Sequence, residues 1–113
     1  MSVLSIRAHK RFAVCHKVKL SASDEYPIMG MLIEVSKGGC RISNLGSAEY
    51  ELGSPLAVKF DDFQDISGEV RSCREGVVGI RFRKPLHGTC LDRLIRVCRG
   101  EGNRMNGIRQ ALG

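Results

Sequence analysis

The sequence predicts an all-β domain, a barrel or a sandwich, with one helix near its C-terminal end. Three observations carry this. Over most of the chain apolar and polar residues alternate with period two. Turn-forming residues interrupt that alternation at short intervals. A late stretch switches to helical spacing, with Leu91, Leu94, Ile95 and Cys98 at i, i+3, i+4 and i+7.

Phe12 to Leu20 reads as a first strand, with Phe12, Val14, Val18 and Leu20 on one face and Lys17 and Lys19 on the other. Ser21 to Pro27 is a polar loop. Ile28 to Val35 is a second, more continuously apolar strand. Ser36 to Gly39 turns the chain, and Cys40 to Ser43 returns as a third. Asn44 to Pro55 holds Gly46, Gly53 and Pro55 and predicts an irregular connection. Leu56 to Phe60 makes a short fourth strand. Ile66 to Arg74 and Val77 to Arg83 form a hairpin closed near Glu75-Gly76. In its second arm Val78, Ile80 and Phe82 face inward and Arg81 and Arg83 face water. Lys84-Pro85 ends the sheet pattern. Thr89 is placed to cap the helix, Asp92 to sit near its positive end, and Gly100 to stop it.

At 113 residues and 42% hydrophobic content, the chain is long and apolar enough for one core. No stretch approaches the roughly 20 apolar residues of a membrane span, and Met1 to Leu20 lacks the pattern of a secretory signal. A cytoplasmic location without membrane insertion is therefore expected. The five cysteines (Cys15, Cys40, Cys73, Cys90, Cys98) are odd in number and form no C-x-x-C pair, so buried thiols acting as small apolar residues are expected. Metal-ligand spacing with His9, His16 or His87 is missing, so no metal site or cofactor is assigned. No nucleophile–base pair or carboxylate pair stands out, which places an enzyme last among the function classes.

The net charge of +6 comes from twelve arginines and six lysines against twelve acidic residues. It favours an anionic partner. With two Tyr, four Phe and no Trp, a base-stacking platform would be thinly furnished, which counts against nucleic acid.

Two short stretches concentrate the chemistry. Arg7-Ala8-His9-Lys10-Arg11 sets two guanidinium forks four residues apart, just ahead of the first strand. Glu34-Val35-Ser36-Lys37-Gly38-Gly39 puts a carboxylate, a hydroxyl and two glycines into a turn between strands. Guanidinium forks fit phosphate oxygens or the O6/N7 edge of guanine. A carboxylate at Glu34 accepts from guanine N1–H and N2–H. Ser36 can bond a phosphate or base edge, Gly38 and Gly39 leave room for close approach, and Lys10 and Lys37 add a general attraction. The pattern points to a small anionic nucleotide. Arg41, Arg71, Arg81 and Arg83, on outward faces, read mostly as solvated surface, with one of them placed to flank a ligand as the alternative.

Arg7 to Arg11 resembles the R-x-x-x-R of the PilZ family, and Glu34 to Gly39 resembles its [D/N]-x-S-x-x-G, with Glu in place of Asp or Asn. The later Gly68-Glu69-Val70 and Val78-Gly79-Ile80-Arg81-Phe82 strands are also similar. The resemblance covers about residues 5–99 and leaves 100–113 as a flexible or weakly helical tail, with Met105, Ile108 and Leu112 at loosely helical spacing. It implies a six-stranded antiparallel barrel with a C-terminal helix. It also implies a receptor for the bacterial second messenger cyclic di-GMP (c-di-GMP), bound by Arg7, Arg11, Glu34, Ser36 and Gly39. Ordering of the Arg7–Arg11 arm over the ligand would then signal to a protein effector. The alternative is a PilZ-like adaptor that works through protein contacts without the nucleotide. Monomer and dimer both remain open.

Overall fold

A computed structural model of the chain describes residues 9–22, 26–46 and 49–100. Six strands run in the order β1 (Phe12–Ser21), β2 (Ile28–Val35), β3 (Gly39–Ser43), β4 (Pro55–Lys59), β5 (Ile66–Arg74) and β6 (Val77–Phe82), followed by helix α1 (Gly88–Cys98). All neighbouring strands pair antiparallel, and the sheet closes on itself as β1-β2-β3-β6-β5-β4. Closure leaves no open sheet edge. The expected architecture is present, with β1, β3 and β6 differing at one end by a single residue and β4 starting and ending one residue earlier.

Alternation explains the wall. Val18, Leu20, Leu32, Ile42, Val58, Val70 and Val78 are sealed inside, while Lys17, Lys19, Arg41, Lys59 and Arg81 stay exposed outside. Glu75 and Gly76 close the β5–β6 hairpin with φ of 51° and 79°. Two successive left-handed residues make the type I′ turn that matches strand twist. The connection from β3 to β4 is irregular among its described residues, with left-handed Asn44, Gly46 and Gly53.

Two β-bulges alter the facing of particular residues. The β2–β3 register shifts between Leu32 and Glu34, and the β5–β6 register between Val70 and Ser72. Strict alternation would send Glu34 inward with Leu32, and Ser72 inward with Val70. The extra residue instead turns Glu34 to the outside, and sets Arg71 and Ser72 side by side on the outer wall.

Helix α1 buries Leu91, Leu94, Ile95 and Cys98, as the spacing predicts. It packs against β1, where Arg99 Nη2 donates to the Ala13 carbonyl at 2.9 Å. Arg93 lies 5.4 Å over the Phe63 ring, and Phe63 meets Phe60 edge-on at 5.6 Å. The start of the helix differs from expectation. His87, extended at φ −68° and ψ 155°, is the N-cap and makes no side-chain cap bond. Thr89 therefore lies inside the first turn, and Asp92 falls beyond it. The helix is held by its buried stripe rather than by its cap. Gly100, left-handed at φ 78°, ends it with its N–H donating to the Val97 carbonyl.

The thiols divide. Cys40 and Cys98 are buried in the core as expected, Cys73 and Cys90 are half-buried, and Cys15 is exposed, its sulfur 3.6 Å from that of Met31. Exposure of Cys15 departs from expectation because it alternates with Val14 and so faces outward. Residues 101–113, including the weakly helical spacing of Met105, Ile108 and Leu112, lie outside the described residues.

Candidate functional site

The β2–β3 turn is built by its own serine. Ser36 N–H donates to the Gly39 carbonyl at 2.8 Å. The Ser36 hydroxyl accepts from the Gly38 and Gly39 N–H groups, each at 3.2 Å, and reaches the Gly39 carbonyl at 3.4 Å. Such local side-chain bonds are why serine favours turns. The turn is strapped to the next layer as well: Phe82 N–H donates to the Gly38 carbonyl and Leu86 N–H to that of Lys37, both at 2.8 Å.

Gly39 serves close packing. A Cβ there would run into the Ile80 carbonyl of β6, so only glycine lets the two strands approach. At Gly38 a Cβ would come 2.9 Å from His9 Cδ2. His9 thus lies directly over the turn.

Arg11 joins the two stretches. Its Nη1 stands 3.6 Å from Glu34 Oε1, with the side chains 47% and 28% exposed. Lys10 turns elsewhere, its Nζ 5.4 Å from the Phe12 ring centroid. Arg7 lies outside the described residues.

Around this junction opens a groove of about 990 Å³ on the outer face of β2, β3, β6 and β5. His9, Arg11, Glu34, Ser36, Gly38 and Gly39 line one bank. Arg41, Glu69, Arg71, Ser72, Gly79, Arg81 and Arg83 continue it across the sheet. Five arginines therefore face two glutamates. Both carboxylates are engaged, Glu34 by Arg11 and Glu69 by Arg81 at 2.7 Å. Among the described residues Arg41, Arg71 and Arg83 form no salt bridge. The field in the groove is positive, and its forks suit phosphate and guanine edges.

The sequence placed Arg41, Arg71, Arg81 and Arg83 outside but not together. Their convergence comes from the pairing of β3 with β6 across the barrel and from the bulge at Arg71. The signal available in sequence was the outward parity of Arg81 and Arg83, two residues apart beside Gly79. Among the described residues no three His, Cys, Asp or Glu side chains gather as a metal site, and no helix is long and apolar enough to cross a membrane.

Comparison with known proteins shows the family and the fold. The PilZ domain description matches residues 5–100. The chain belongs to the PilZ family. Among curated proteins none matches it significantly. Among solved structures it is similar to the Bacillus subtilis inhibitor of motility MotI/DgrA, with a TM-score of 0.57 and 16% identity. That match covers 94% of this chain and 51% of the other, so the PilZ chain spans about half the length of its structural neighbour. At this identity the likeness is one of fold.

Proposed function

We propose that the protein is a receptor for cyclic di-GMP that binds the nucleotide in the arginine-lined groove and signals to a protein partner without catalysing a reaction. One observation carries the reading: Arg11 and Glu34, from the two family motifs, meet at 3.6 Å on the bank of a cationic groove. Cyclic di-GMP offers two phosphates and two guanines. Arg11 supplies a fork to phosphate or to guanine O6/N7, and Glu34 an acceptor for N1–H and N2–H. The Ser36-ordered turn holds these groups in place, while Arg41, Arg81 and Arg83 offset the ligand's charge.

The magnitudes favour binding over the ligand-free arrangement. An exposed ion pair such as Arg11–Glu34 contributes about 0–1 kcal/mol. A bidentate guanidinium contact to guanine is worth about 1–3 kcal/mol. The ligand can therefore draw Arg11 away from Glu34 at small cost. The arm before β1, whose His9 lies over Gly38, then rearranges, and the new surface is what a partner reads.

A second reading has its own support. Glu34 stands where the family motif has Asp or Asn, and its extra methylene lets it hold Arg11 in place. In that reading the pair is a permanent strut, and the domain is an adaptor that ignores the nucleotide. Calorimetry separates the two. The receptor gives saturable heat with cyclic di-GMP and none with GTP; the adaptor gives no heat up to high micromolar ligand.

A further inference from the structure

The wall turned away from the groove carries a different pattern. In the closed order β1 lies across the barrel from β6, and the outer face around it holds lysine and methionine instead of arginine. Lys19 stands directly opposite Lys59 of β4 on one side and Met29 of β2 on the other. Two residues back along β1, Lys17 stands opposite Met31. All three lysines are exposed, and none is in a salt bridge among the described residues. Met29 is 52% exposed, and Tyr26, at the end of the same hairpin, is 92% exposed. β1 and β4 contain no Asp or Glu, and the one Glu of β2, Glu34, lies beyond the bulge and is engaged by Arg11. Like charges directly opposite each other destabilise a sheet, so the Lys19–Lys59 pair works against the barrel that carries it.

We infer that this lysine–methionine face docks an acidic segment of a partner protein, one with apolar side chains set among its carboxylates. The inference stands apart from nucleotide binding and holds for the receptor and the adaptor alike. Carboxylates of the partner neutralise Lys17, Lys19 and Lys59 and relieve the opposition of Lys19 and Lys59. Met29 and Met31 offer adaptable, polarizable surface to its apolar side chains, and Tyr26 adds an aromatic of the kind interfaces favour. The closed sheet has no free edge, so the partner is held through side chains and not by adding a strand. The face is three strands wide, about 10 Å between its outer backbones, which suits a transient contact rather than an obligate one. Charge disfavours the other occupants. A second copy would set lysine against lysine, and residues 101–113 carry two arginines against one glutamate. Three lysines also fall short of the roughly 4–8 basic residues of a polybasic membrane-binding cluster.

The experiment titrates a synthetic amphipathic helix, with leucines along one face and glutamates beside them, into the isotope-labelled full chain without nucleotide. Amide shifts at Lys17, Lys19, Met29, Met31 and Lys59 report this face. Those at residues 34–41 and 79–83 report the groove, so a peptide drawn only to the arginines is told apart. Saturable shifts on the lysine–methionine face are expected. Affinity read there should weaken about three- to tenfold in the double variant Lys17→Ala/Lys19→Ala, on the scale of two exposed ion pairs. It should change less than twofold in Lys84→Ala, which removes an exposed lysine elsewhere, and fall when serines replace the peptide's leucines. Lys19→Ala alone should melt no lower than the natural protein, since Lys59 loses its like-charged neighbour. Shifts confined to the groove, unchanged affinity in the double variant or with the serine peptide, or a response of this face to phosphatidylserine vesicles would overturn the inference. A nucleotide that fails to bind leaves it standing, and a face that fails to bind the peptide leaves the receptor reading standing.

Discussion

Arg11 Nη1 and Glu34 Oε1 face each other at 3.6 Å across the mouth of the groove, one from just before β1 and the other from a bulge in β2. The contact turns two separate stretches of sequence into one site. On the receptor reading, it also makes Glu34 an internal rival of the ligand for Arg11.

Replacing Arg11 separates binding from stability. The pair is half exposed, so Arg11→Ala should cost about 1 kcal/mol of stability or less, while cyclic di-GMP affinity falls roughly ten- to a hundredfold. Thermal melting and calorimetry on the same preparation check both. Normal ligand affinity in Arg11→Ala would remove this residue from the site.

Glu34→Asp withdraws the carboxylate by about 1.5 Å. That lengthens the 3.6 Å contact to Arg11 and restores the family's motif. Affinity should be kept or improved. A loss of tenfold or more would mean that the longer acceptor is the one the nucleotide needs.

Gly39→Ala tests the turn's packing. Its methyl group would meet the Ile80 carbonyl, and backbone cannot move aside as a side chain can. A destabilisation of about 1–3 kcal/mol is expected, measured by urea unfolding. Ser36→Ala should cost about 1 kcal/mol by the same measurement, since two N–H groups lose their shared acceptor.

The thiols give a pH signature. Burial pushes the Cys98 thiol from an ordinary 9.0 to about 11 and raises that of Cys40 as well. Unfolded thiols ionise first on the way up, so this contribution is full below about pH 9 and declines as pH rises toward 11. Stability should drop across that window and drop less in Cys98→Ala, compared by unfolding at pH 8 and 10.5. In native protein at pH 8, a thiol reagent should modify exposed Cys15 first and reach Cys40 and Cys98 only on unfolding.

Much of the barrel was legible because its signals are local. Val78, Ile80 and Phe82 alternate with Gly79, Arg81 and Arg83, and the helical stripe at Leu91, Leu94, Ile95 and Cys98 is regular. The helix start was misread because Thr89 is a good capping residue two positions past the actual N-cap, and burial of Leu91 and Leu94 outweighs a cap bond. The wider groove was not legible for a different reason. Bulges at β2 and β5 flip the facing of Glu34 and Ser72, and one extra residue in a strand leaves no mark on composition. Nor does alternation reveal that β3 lies beside β6, which is what gathers Arg41 and Arg81 on one wall.

The most direct measurement is a cyclic di-GMP titration followed by amide chemical shifts. The account predicts saturable changes concentrated at residues 34–41 and 79–83, with their midpoint moved roughly ten- to a hundredfold higher in Arg11→Ala. Saturable shifts confined to the helix or to the outer faces of β1 and β4, or no shifts at all, would contradict it.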